Sequence, residues 1–96
     1  MSRQFQGMFN TIFHAPVVVD PASLADGVGE SRTVTCAGAA VGDVVLFAPG
    51  IDIAGITVTA YVSAANTVTF RIQNESAGLL DIATSSWHVS VLRPTY

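Results

Sequence analysis

Residues 56–74 read I-T-V-T-A-Y-V-S-A-A-N-T-V-T-F-R-I-Q-N. Ile56, Val58, Ala60 and Val62 fall on one parity, and Thr57, Thr59, Tyr61 and Ser63 on the other. That period of two is the mark of a strand with one buried face. Val68, Phe70 and Ile72 then alternate with Thr67, Thr69, Arg71 and Gln73. Between the two runs, Ser63-Ala64-Ala65-Asn66 is short enough for a hairpin, and asparagine tolerates the positive φ that tight turns require. The stretch therefore predicts an antiparallel pair with an apolar inner face and an outer face of Thr, Ser and Tyr.

The same alternation extends in both directions. Trp87, Val89 and Val91 are expected inward, with Ser86, His88 and Ser90 outward. Arg32, Val34 and Cys36 alternate with Ser31, Thr33 and Thr35. Val44–Ala48 is apolar on both parities, which predicts a strand buried on both sides, and Val17–Val19 is a further short strand ended by Asp20-Pro21. Gly- and Asn-rich segments separate these runs at 25–29, 37–42, 49–50 and 74–78. The expected fold is all-β: a single-domain β-sandwich or jelly-roll-like barrel of about six to eight antiparallel strands. It occupies residues 16–96, preceded by a short N-terminal arm or helix at 1–15. In that segment Phe5, Met8, Phe9, Ile12 and Phe13 follow the i, i+3, i+4, i+7, i+8 spacing of an amphipathic helix. They either plug the domain's own core or reach a neighbouring subunit.

Only 11% of the 96 residues are charged, against about 25% in ordinary globular domains. The cations are Arg3, Arg32, Arg71 and Arg93, lysine is absent, and the net charge is −3. Four scattered arginines cannot form the basic stripe that nucleic acid requires. The most apolar window, 36–51, is broken by Asp43, Pro49 and three glycines, so no membrane span is expected. Residues 1–14 lack the continuous apolar segment of a secretory signal. The charges fall mostly in turns and at strand ends. Sheet faces this neutral are suited to being covered by partners.

Catalytic chemistry finds no foothold. Serine, histidine and aspartate are present without the G-x-S-x-G elbow that poses a nucleophile. His14 and His88 lie far apart in the chain with no metal-ligand spacing, and neither a metal nor any other cofactor is expected. Cys36 shares a parity with Val34 and is expected to be a small buried hydrophobe, since a reactive thiolate needs a cationic setting. Asn74-Glu75-Ser76 matches a glycosylation sequon by accident. Trp87 is expected to anchor the core.

Several segments together carry a resemblance: V-D-P-A-S at 19–23, V-G-D-V-V at 41–45, Y-V-S-A-A-N-T-V-T at 61–69, R-I-Q-N at 71–74, D-I-A at 81–83 and W-H-V-S-V-L at 87–92. This succession resembles small all-β virion structural proteins of tailed bacteriophages, most closely capsid decoration (cement) proteins, over about four-fifths of the chain. The resemblance implies a non-enzymatic protein made in the host cytoplasm and located on the virion's capsid surface. It implies the major capsid protein as partner and reinforcement of joints between its subunits. Self-association as a trimer is the natural expectation at three-fold positions. Candidate contact residues are Phe5, Phe9 and Phe13 in the arm, Thr57, Thr59 and Tyr61 on the polar strand face, and Arg93 and Tyr96 at the C-terminal end. The alternative is a head fibre, spike or carbohydrate-binding adhesion module. That reading needs Trp87 and Tyr61 exposed together, and periodicity places Trp87 inward.

Overall fold

The computed structural model describes residues 8–21, 23–76 and 78–95. Its elements are strands: β1 (Phe9–Val19), β2 (Gly29–Thr35), β3 (Val44–Ala48), β4 (Ile56–Ala64), β5 (Thr67–Asn74) and β6 (Ser85–Pro94). They form two antiparallel three-stranded sheets, ordered β1-β6-β3 and β2-β5-β4. Only the β4–β5 connection stays within a sheet. It is the hairpin read from the sequence, closed by the Ala64–Thr67 pair, with Asn66 at a φ of 62°. The Asn66 side chain accepts a hydrogen bond from Gly38 N at 2.8 Å, and its backbone pairs with Cys36 and Ala39. The turn is thereby tied to the β2–β3 crossover.

The inner faces of the two sheets share one apolar interior. At one end it contains Val19, Leu24, Ile56, Phe70, Ile72 and Trp87; at the other, Cys36, Ala39, Val62, Val68, Val89 and Val91. Phe47 touches both groups and bridges the sheets, its ring centroid 4.7 Å from Phe70 and 5.3 Å from Trp87. Trp87 is fully buried, and its indole N–H donates to Ser85 Oγ at 2.7 Å. The tryptophan therefore buries its ring without leaving a donor unpaired.

Two expectations are corrected. The helical spacing around Phe9–Phe13 belongs to a strand. β1 carries a bulge between Thr11 and Phe13, opposite Leu92 and Val91, so Ile12 and Phe13 both turn toward the interior. A bulge puts two consecutive side chains on one face, which reproduces part of a helix's i+3/i+4 pattern. The expected boundary at residue 15 falls inside β1, and of the arm residues Phe5 lies outside the described ones. The second correction concerns β3. It is an edge strand, with Val44, Leu46 and Ala48 exposed on one face and only Val45 and Phe47 turned inward. Its outer residues are apolar without being covered.

Asn74 closes the end of the molecule where β1 leads to β2 and β5 leads to β6. It is fully buried. Its side-chain NH₂ donates to Leu24 O at 2.7 Å and Gly78 O at 2.8 Å, and its Oδ1 accepts from Ser76 N at 2.8 Å and Ser76 Oγ at 2.7 Å. Leu24 and Leu80 pair by backbone hydrogen bonds beside it. At the opposite end, Arg93 grips Asp43 through Nε (2.9 Å) and Nη2 (2.8 Å) and donates to Gly38 O at 3.1 Å. The guanidinium holds the Asp43 carboxyl below its usual range, aided by the Ala40 N–H.

Two stability tests follow from these end-closures. Asn74→Ala removes four hydrogen bonds from a buried site and should cost roughly 2–4 kcal/mol, read as a lower urea midpoint. Asn74→Asp should be no milder, because it replaces a donor with an acceptor facing two carbonyls. Asp43 has a depressed folded pKa, so its contribution is present above the ordinary carboxylate pKa of about 4 and fades as pH falls below it. Asp43→Asn should therefore lower the urea midpoint at pH ~7. The gap from wild type should narrow as the medium is acidified through that range; a gap independent of pH would contradict the ion pair's role.

Candidate interaction surface

The register assembles the expected polar face and enlarges it. Thr57, Thr59 and Tyr61 on β4 stand opposite Gln73, Arg71 and Thr69 on β5. On the far side of β5, Arg71 faces Ser31, Thr69 faces Thr33 and Thr67 faces Thr35. The Thr-Val-Thr triplets at 33, 57 and 67 each place two threonines on this surface. Strand periodicity marks the parity of each triplet; only the pairing order joins three strands into one face. Tyr61 is 58% exposed there. Thr69 Oγ1 donates to Ser63 Oγ at 2.6 Å. No Asp or Glu is among the strand residues of this face.

The outer face of the other sheet has a different character. Val18 on β1 is 72% exposed and Leu46 on β3 is 51% exposed, with exposed Val44 on the same strand as Leu46. Between these flanks, His14 on β1 and His88 on β6 stack with centroids 6.2 Å apart and ring planes 10° from parallel. Ser90 Oγ lies 2.7 Å from His14 Nδ1. The β1–β6 register brings together two histidines that the linear sequence separates by most of the chain. Two imidazoles alone fall short of the three or four protein ligands of a metal site. Among the described residues no carboxylate is hydrogen-bonded to His14, and a serine nucleophile's base needs such an orienting acid. Among the described residues no three His, Cys, Asp or Glu side chains gather in a metal-binding group.

The remaining expected contact residues are dispersed. Phe13 packs against the core, and Phe9 is half-buried opposite Pro94. Arg93 is committed to Asp43 and Gly38 and acts as a strut between β6 and the β2–β3 crossover. Tyr96, like Phe5, lies outside the described residues. A cleft of about 350 Å³ opens where the edges of β3 and β4 meet, lined by Val45, Leu46, Phe47, Ala48, Val58 and Ala60. It contains no titratable side chain. No helix among the described residues is long and apolar enough to cross a membrane.

Two residues with reactive or modifiable chemistry are locked into the fold. Asn74 of the sequon is fully buried and spends both amide protons on the Leu24 and Gly78 carbonyls, so glycosylation would require unfolding this end of the protein. Cys36 is fully buried, and burial pushes its thiol above the usual range. A thiol-specific aromatic disulfide reagent at neutral pH should modify the native protein roughly a hundredfold more slowly than the urea-unfolded chain, since reaction requires opening. Rapid native labelling would show that the β2–β3 end is open.

The chain matches no protein-family model, no curated protein and no solved structure.

Proposed function

We propose that this chain is a non-enzymatic virion structural protein that binds the outside of a bacteriophage capsid and stabilises joints between major capsid subunits. The observation carrying the reading is the pairing of two unlike, weakly charged faces on one small all-β body. One face is a hydroxyl surface spread over β2, β5 and β4; the other exposes Val18, Val44 and Leu46 around a histidine stack. A protein that cements a joint must contact more than one neighbour, and a body braced at both ends by Asn74 and by Asp43–Arg93 can transmit load between them. Each contact can be weak, because simultaneous engagement raises effective affinity. In this reading the fold is a β-sandwich-like, jelly-roll-related module, self-associating as a trimer at three-fold positions of the shell. The resemblance of its turn-and-strand segments to decoration proteins supports the same placement on the virion.

The carbohydrate-binding alternative has less to stand on. It relied on Trp87 and Tyr61 as an exposed aromatic pair, and Trp87 is fully buried.

Purified protein should co-sediment with capsids assembled without it, and such capsids should rupture at a lower temperature than those refilled with it. Absence of binding at saturating protein concentration would refute the proposal.

A further inference from the structure

Arg71 occupies the centre of the hydroxyl face, on the middle strand of its sheet, with Ser31 and Thr59 as cross-strand neighbours. Its guanidinium is held in place rather than left to sweep through solvent. Nη1 donates to Ser31 Oγ at 3.2 Å and Nη2 to Gln73 Oε1 at 3.0 Å, while Gln73 Nε2 is itself anchored on Gly27 O at 2.7 Å. Gly29 leaves room for this arrangement: a β-carbon there would meet Gln73 Oε1, Arg71 Nη2 and the backbone carbonyl of Ile72. Arg32 and Arg93 each have a carboxylate, Glu30 and Asp43. Among the described residues Arg71 has none, and its ring of neighbours consists of hydroxyls and one amide.

We infer that Arg71, with Tyr61 beside it, is the anchor for a carboxylate side chain presented by a protein partner on this face. Arginine presents several N–H donors in a planar fork, and two of its bonds here fix that fork while leaving other donors for an incoming carboxylate. A pre-positioned fork loses little conformational freedom on binding. The surrounding threonines supply neutral hydrogen-bonding surface with stiff, β-branched side chains. Arg and Tyr are also the residue types that dominate binding energy in protein interfaces. The surface is a broad sheet face, matched to a protein surface more than to a single small anion. Naming the capsid subunit as that partner rests on the proposed function; the carboxylate chemistry is read from the face itself.

The test has two arms. In the first, ¹⁵N-labelled full-length protein is titrated with a hexaglutamate peptide and, separately, with a hexamannuronate oligosaccharide. The inference expects glutamate-induced shifts at Ser31, Thr59 and Arg71, with apparent affinity weakened roughly ten- to a hundredfold in Arg71→Gln. Arg71→Lys should fall between, since it keeps the charge without the fork. Shifts that avoid this face, or persist unchanged in a folded Arg71→Gln, would overturn the inference. Tighter binding of the uronate oligosaccharide at the same residues would overturn the protein partner and assign the face to an acidic glycan. In the second arm, capsids lacking the protein should bind Arg71→Gln at least about tenfold more weakly than wild type. Equal binding would overturn Arg71 as the docking anchor while leaving capsid decoration intact. Failure of the wild type to bind would instead remove the decoration reading, and the peptide titration then decides the inference alone.

Discussion

The side chain of Asn74 terminates the middle strand of the second sheet inside the protein, where an amide without partners would be costly. Its NH₂ reaches Leu24 O from the β1–β2 crossover and Gly78 O from the β5–β6 crossover, and its carbonyl oxygen takes both polar hydrogens of Ser76. Among the described residues four of the five connections between strands pass from one sheet to the other, and the two sheets share no ladder hydrogen bonds but meet through apolar contact. Such contact is strong but non-directional. Hydrogen bonds that fix the crossovers are what select one relative placement of the sheets, and Asn74 does so at one end. The Asp43–Arg93 pair, joined to Gly38 O, does so at the other. Between them the Phe47, Phe70 and Trp87 rings fill the interior.

Most of the strand pattern was legible because inward and outward residues differ in kind. Val58, Phe70 and Val89 could not be mistaken for Thr59, Arg71 and Ser90, so parity alone oriented β4, β5 and β6. The failures have specific causes. In β1 the bulge at Ile12 shifts parity in mid-strand, and a shifted period of two counterfeits a helical one. In β3 the outer residues Val44, Leu46 and Ala48 are apolar, and apolarity on both parities ordinarily means cover on both faces. Here it marks an exposed edge. Asn74 looked like a turn residue within a sequon, because its role depends on carbonyls far away in the chain at Leu24 and close by at Gly78. The His14–His88 stack and the Arg71–Ser31 contact are products of strand pairing, which no single stretch of sequence encodes.

The histidine stack and the hydroxyl face also show why candidate surfaces were harder to read than the core. Burial leaves a compositional trace at each position, whereas a surface is an assembly of positions from different strands. Thr57, Thr59 and Tyr61 were recoverable because one strand carries all three. Arg71 and Gln73 came with them through the hairpin, whereas Ser31 and Thr33 joined only through the β2-β5-β4 order. Conversely, Arg93 had the credentials of a contact residue, a charged side chain near the chain's end, until its geometry bound it to Asp43.

Placement of charge connects the fold to the proposed docking. Two of the described arginines are neutralised locally by carboxylates, which confines their fields and leaves the sheet faces with little to desolvate. Covering a threonine hydroxyl costs far less than stripping water from an unpaired lysine or glutamate, and threonine can exchange its water for a partner's backbone group. A lysine-free surface is therefore cheap to cover over a wide area. On such a surface one unneutralised arginine has a disproportionate effect. It contributes little attraction at long range under physiological screening. At contact it discriminates sharply, because a partner lacking a carboxylate opposite Arg71 must bury a cation without compensation. The neutral hydroxyls then supply the area and the single fork supplies the register.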